Sequence, residues 1–116
     1  MAVSDAPLEG DDKPTRAAGV WFDRRELNRI LSVYGQMVAL GEWRDYAIDG
    51  LKDRAVFSVF RRASDVPLYR IEKQPSLSRR QGAYAVVNAS GQILKRGREL
   101  PQVLKIFERK RFRVVE

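Results

Sequence analysis

The segment Ala55-Val-Phe-Ser-Val-Phe60 constrains the fold more than any other stretch of the chain. It is rich in residues that favour a pleated backbone. Both of its alternating faces are largely apolar, with Val56, Ser58 and Phe60 on one and Phe57 and Val59 on the other. A strand polar on one side can face water there, whereas one apolar on both sides has to be covered on both. The pattern predicts a central strand over Arg54 to Arg62. Two helices on opposite faces would cover it, and so would one helical layer together with a homodimer contact.

The flanking sequence supplies the other elements. Asp23 is a good helix N-cap, and Glu26 stands three residues on, where its carboxylate reaches back to the cap N–H. Phe22 outside the cap and Leu27 inside it are placed to staple the first turn. Leu27, Ile30, Leu31, Tyr34, Met37 and Val38 follow a 3-4 spacing, and Gly41 is placed to end the helix. From Trp43 the period shifts toward two. Strands are predicted at Arg44–Ile48, Leu68–Lys73, Tyr84–Asn88 and Gln92–Lys95, with turns at Asp49-Gly50, Ser64–Pro67 and Asn88–Gly91 and a longer loop over Gln74–Gln81. Pro101 suits the first turn of a second helix marked by Leu100, Val103, Leu104 and Phe107. Phe112, Val114 and Val115 suggest a short closing strand. Short connections imply antiparallel neighbours. The expected fold is α+β: an antiparallel β-meander of four to five strands with an N-terminal amphipathic helix and a C-terminal helix followed by a short strand.

Residues 1–20 contain two prolines, two glycines and few large apolar groups, and are expected to be a disordered acidic leader before a single α+β domain over 21–116. Residues 1–12 hold four acids and no base, so residues 13–116 carry +11 of a net charge of +7. Such a leader either stays solvated or folds over the basic body and competes with a polyanion. It has no apolar signal-like core, and the uncharged amphipathic run of twelve residues from Ile30 to Gly41 is too short for a bilayer span of about 20 residues. No Cys is present, in keeping with a reducing compartment, and a cytoplasmic location is the default expectation with no membrane partner.

Chemistry is poorly served. With no His and no Cys, the usual near-neutral base and the usual soft nucleophile are both missing, and an enzyme is not expected. Glu42, Asp45, Asp49 and Asp53 surround one hairpin, but their spacing matches no cation loop and Arg44, Lys52 and Arg54 are interleaved with them. No metal or cofactor is expected. The closing third is instead strongly basic, with ten bases against three acids over Ser76–Glu116. Its groups are Arg79-Arg80 in the long loop, Lys95-Arg96-Gly97-Arg98 after a hairpin, and Arg109-Lys110-Arg111 with Arg113; Arg61-Arg62 form an earlier pair. Arginine forks suit bidentate phosphate contacts. The candidate nucleic-acid-binding residues, for DNA or RNA, are therefore Arg61, Arg62, Arg79, Arg80, Lys95, Arg96, Arg98, Arg111 and Arg113. Tyr69, Tyr84 and Phe112 lie among them and would stack on bases if exposed. The plainer alternatives are that Arg109 and Lys110 complement a helix C-terminus, that the aromatics belong to the core, and that dispersed charge serves solubility. An adaptor that binds an acidic protein partner, or a small homodimer, is the competing function.

The stretches Phe22-Asp23-Arg24, Phe57-Ser58-Val59-Phe60-Arg61-Arg62, Pro67-Leu68-Tyr69-Arg70-Ile71-Glu72-Lys73 and Phe107-Glu108-Arg109-Lys110 resemble an alphaproteobacterial family catalogued as domain of unknown function 2794. The resemblance covers roughly residues 21–116. It implies a bacterial, cytoplasmic, single-domain protein and carries no functional residue with it.

Overall fold

The computed structural model describes residues 19–62 and 66–115, with side chains through Glu108. Helix α1, Arg24–Ala39, is followed by β1 (Asp45–Gly50), β2 (Ala55–Phe60), β3 (Tyr69–Lys73), β4 (Tyr84–Asn88) and β5 (Ile93–Gly97), and helix α2, Leu100–Val115, closes the chain. The strands form one antiparallel sheet in sequence order, β1-β2-β3-β4-β5, with β2 inside it as expected. One rung of the ladder runs Gly50, Ala55, Lys73, Tyr84, Gly97 across all five strands and marks one end of the sheet. The opposite end is marked by Asp45 paired with Phe60 and by Tyr69 paired with Asn88.

α1 begins and ends as its sequence dictates. The Asp23 carboxylate accepts from Glu26 N at 2.8 Å, and Glu26 Oε1 accepts from Asp23 N at 2.8 Å, which completes the capping box. At the other end Gly41 adopts φ +78°, Glu42 N–H donates to Met37 O and Gly41 N–H to Val38 O. These are the paired bonds of a Schellman ending, which a glycine adopts at least cost.

Both helices lie side by side on one face of the sheet, not on opposite faces. Ile30 and Met37 of α1 and Val103, Leu104 and Phe107 of α2 share a core with Phe57, Val59, Ile71 and Val86. The reason lies in side-chain size. Tyr46, Phe57 and Tyr69 on the strands, with Trp43, make a floor wide enough for two helices, and Phe107 packs edge-on to Trp43 at 4.9 Å and to Tyr69 at 5.1 Å. The other face of β2 is buried too, but by different means. There Val56, Ser58, Ala85 and Val87 lie low between larger side chains, and buried Glu72 is clamped by Arg54 at 3.1 Å and Arg70 at 3.2 Å. The apolar stems of such arginines cover neighbours while their heads stay wet.

Two local expectations change. Asp49 and Gly50 belong to β1, and the reversal falls at Lys52-Asp53, closed by Leu51 N–H donating to Arg54 O at 2.8 Å. Gly50 is required there because the Trp21 ring occupies the space a Cβ would take. The closing strand expected at Phe112–Val115 is replaced by helix through Val115. No Gly or Pro follows Phe107 to stop the helix, and Glu108-Arg109-Lys110-Arg111 are good helix formers. Residues 1–18 of the leader expected over 1–20 lie outside the described residues.

Candidate functional site

The candidate cations divide according to the sheet end they occupy. The loop after β3 turns through a short 3-10 segment, Pro75–Leu77, and closes with Gln81 and Gly82 N–H both donating to Leu77 O. Gly82 sits at φ +100° against the backbone of Gly97, so close that a Cβ there would meet the Gly97 carbonyl. This backbone-to-backbone approach brings the loop beside the end of β5. Arg96 then donates to Gly82 O at 3.1 Å and Arg98 to Arg79 O at 3.0 Å. Arg79, Arg80, Arg96 and Arg98 thus gather around one loop, three of them exposed and Arg96 half-buried.

Among the described residues no ion pair involves any of these four. Arg96 and Arg98 each use one donor on a neutral carbonyl, which leaves most of a five-donor guanidinium for a ligand. Some arginines elsewhere are neutralised, since Glu72 answers Arg54 and Arg70 and Asp53 also reaches Arg54 at 3.4 Å, whereas Arg24, Arg25, Arg29, Arg44 and Arg62 form no ion pair among the described residues. The remaining candidates lie apart. Arg61 and Arg62 follow Phe60 at the opposite end of the sheet, about 17 Å away along the strand, and Arg61 faces Glu42 at 3.9 Å. Lys95 lines a groove with Leu94, Gln102, Lys105 and Ile106 on the helical face. The side chains of Arg111 and Arg113 lie outside the described residues. The sheet thus joins four of the nine candidates into one group.

Two of the three aromatic residues considered for base stacking, Tyr69 and Tyr84, are engaged internally, and the side chain of Phe112 lies outside the described residues. Tyr69 packs against Trp43 and Phe107 beneath the helices. Tyr84 is tied to Glu26 by a short hydrogen bond from its hydroxyl to Oε2. Burial first, and then that bond, push the Tyr84 hydroxyl well above its ordinary range, so it stays protonated and donating. Glu26 also receives Lys73 Nζ at 2.9 Å, and Lys73 donates to Trp21 O at 3.0 Å. This hub bolts the start of α1 to the sheet end that carries the arginine group. Beside it a cleft of about 320 Å³ is lined by Arg25, Arg29 and Arg98 together with Asp23, Glu26 and Glu99.

The four carboxylates of the first hairpin do not assemble: Asp53 pairs with Arg54 and Glu42 with Arg61, and no metal-holding group of carboxylates occurs among the described residues. Nor is any described helix long and apolar enough to cross a membrane.

A family model described as a protein of unknown function, DUF2794, matches residues 20–104, from the strap before α1 into the first turns of α2. The chain belongs to the DUF2794 family. The matched region holds the whole sheet of this DUF2794 member together with Arg79, Arg80, Gly82, Arg96 and Arg98, and it ends before Arg111 and Arg113. No curated protein and no solved structure matches the chain. Sequence reasoning missed the Glu26–Lys73–Tyr84 hub and the Gly82–Gly97 approach. The hub's only sequence signal was the Glu26 capping position; for the approach, a glycine closing a polar loop next to a strand was the available cue.

Proposed function

We propose that this protein is a small cytoplasmic, non-enzymatic binding protein that holds the phosphates of a nucleic acid through Arg79, Arg80, Arg96 and Arg98. The observation that carries the reading is convergence: the Gly82–Gly97 approach sets Arg96 on Gly82 O and Arg98 on Arg79 O, so that four arginines share one corner. None of these four has a carboxylate partner among the described residues, so each keeps its charge for a ligand. Four such cations within one loop-and-strand corner favour a multivalent anion, and arginine forks favour phosphate oxygens. Since Tyr69 and Tyr84 are engaged internally, the contact is to the backbone, which is sequence-tolerant. The absence of Cys fits a reducing compartment. The test is binding of a fluorescent 20-nucleotide single strand at about 50 mM salt; affinity that falls steeply as salt rises supports the reading, and no binding at that salt overturns it.

A second reading, a homodimer or an adaptor for an acidic protein, draws on a different place. β1 is an edge strand, and Tyr46 on it and Leu31 and Val38 on α1 are 45%, 36% and 39% exposed. Unpaired edges beside exposed apolar side chains favour strand addition. A dimeric mass in solution that Leu31→Glu converts to a monomer would support the homodimer form of this reading, and a monomeric parent would remove it.

A further inference from the structure

At the sheet edge opposite β1 lies β5, whose outer side has no strand neighbour among the described residues. Beside it is a groove of about 400 Å³, lined by Leu94 and Lys95 of β5 and by Gln102, Lys105 and Ile106 of α2. Spacings of three and four residues set those α2 side chains on one helix face. On β5 the register does the rest. Lys95 pairs with Val86 and Ile93 with Val87, so Leu94 is the extra residue of a bulge, and a bulge re-aims the side chain it carries. Leu94 thereby joins Lys95 on the helical side, where it packs with Ile106 against the core. Arg96, opposite Ala85, projects to the other face of the sheet. The groove is thus a place apart from the arginine corner.

Charge and polarity name the occupant. Half-buried Leu94 and Ile106 make an aliphatic floor between two exposed lysines, and no acidic residue lines the groove among the described residues. Neither Lys95 nor Lys105 forms an ion pair among those residues. The cleft between the two helices includes Glu108, and the one beside Tyr84 includes Asp23, Glu26 and Glu99. The groove's cations are lysines, point charges without the guanidinium fork that matches a phosphate. Its aliphatic floor suits apolar side chains rather than a sugar–phosphate chain. A second copy is disfavoured, because pairing β5 with itself would bring Lys95 and Arg96 against the same cationic pair. We infer that this groove docks an extended segment of another protein that carries both acidic and aliphatic side chains. Its carboxylates meet Lys95 and Lys105, its aliphatic groups rest on Leu94 and Ile106, and its backbone pairs with the free edge of β5. This site goes beyond the phosphate-binding reading and stands without it.

The experiment titrates the full-length chain, at about 50 mM salt, with a fluorescein-labelled twelve-residue peptide of repeating Val-Val-Glu-Glu. That repeat sets both kinds of side chain on each face of a strand. Binding should shift the backbone amides of Leu94–Gly97 and of Gln102, Lys105 and Ile106. Lys95→Glu with Lys105→Glu, at exposed positions whose replacement leaves the core intact, should weaken binding roughly 5- to 30-fold, the range that two exposed ion pairs supply. A peptide of repeating Ser-Ser-Glu-Glu, with the same charge and no aliphatic groups, should bind about 10-fold more weakly than the first. No binding, equal affinity of the two peptides, or amide shifts confined to Arg79–Gly82 and Arg98 would overturn the docking. Groove shifts that grow with protein concentration alone would overturn it in favour of a second copy. Groove shifts produced by the 20-nucleotide single strand and not by the peptide would overturn it in favour of a nucleic acid.

Discussion

Replacing Gly82 with Ala tests the arginine corner without touching an arginine. Gly82 holds φ +100°, and an added Cβ would meet the Gly97 carbonyl and lie 2.8 Å from Arg98 N, all backbone atoms with no side chain to swing away. Two costs follow. The left-handed backbone conformation is unfavourable for alanine by about 1–2 kcal/mol, and relieving the overlap by shifting backbone costs a further 1–3 kcal/mol or so. Gly91→Ala is the internal control. It too has positive φ, at +90°, but no atom lies within 4 Å of its added Cβ, and it sits in the β4–β5 turn at the far end of the sheet. The control should therefore lose only the first part. Denaturant unfolding should show about 1–2 kcal/mol lost for Gly91→Ala and about 2–5 kcal/mol for Gly82→Ala. Because the overlap forces the loop off β5, oligonucleotide affinity should drop in Gly82→Ala and stay at the parent level in Gly91→Ala. Equal losses of stability in the two variants, with equal affinities, would refute the claim that a tight Gly82–Gly97 approach assembles the corner.

Two further outcomes follow from the internal ion pairs. Tyr84→Phe removes the donor to Glu26 Oε2 while leaving Lys73 and the Asp23 amide on Oε1; a hydrogen bond to a charged acceptor being worth about 1.5–3 kcal/mol, the loss should be near the lower figure because Glu26 keeps its other partners. Because the folded state holds the Tyr84 hydroxyl above its unfolded value near 10, its contribution is complete below about pH 10 and is lost as pH rises beyond it, so the parent's stability should decline above that pH more steeply than that of the Phe variant, followed by thermal unfolding. Glu72→Ala leaves Arg54 and Arg70 facing each other without their shared carboxylate; with both guanidinium side chains about a third exposed, the cost should be about 1–3 kcal/mol, below that of a fully buried pair, and chemical denaturation measures it.

The local elements were legible in the sequence wherever one residue type is demanded by one backbone geometry. Asp23 with Glu26 and Gly41 fix both ends of α1, and β2 to β4 fall close to their predicted spans, because capping and period-two patterns are encoded locally. What failed is not local. The two-sided burial of β2 was readable, but not that one side is met by two helices and the other by arginine stems around Glu72, since that depends on side chains from three strands. Valines at 114 and 115 favour a strand by propensity, yet a helix already started at Leu100 propagates through them more readily than a new strand can find an edge. For the site, arginine pairs were visible as composition. Their sorting into an uncompensated group and neutralised or distant ones required the register that sets Gly97 beside Gly82 and Phe60 at the other end.

The most direct measurement is the salt slope of oligonucleotide binding in matched arginine pairs. With four phosphates neutralised on a single strand, log affinity against log salt should have a slope of about −2.8 for the parent. Arg96→Ala with Arg98→Ala should flatten it to about −1.4, and Arg61→Ala with Arg62→Ala should leave it unchanged. A slope lowered equally by both pairs, or by the Arg61 and Arg62 pair alone, would contradict the assignment of binding to the Gly82–Gly97 corner.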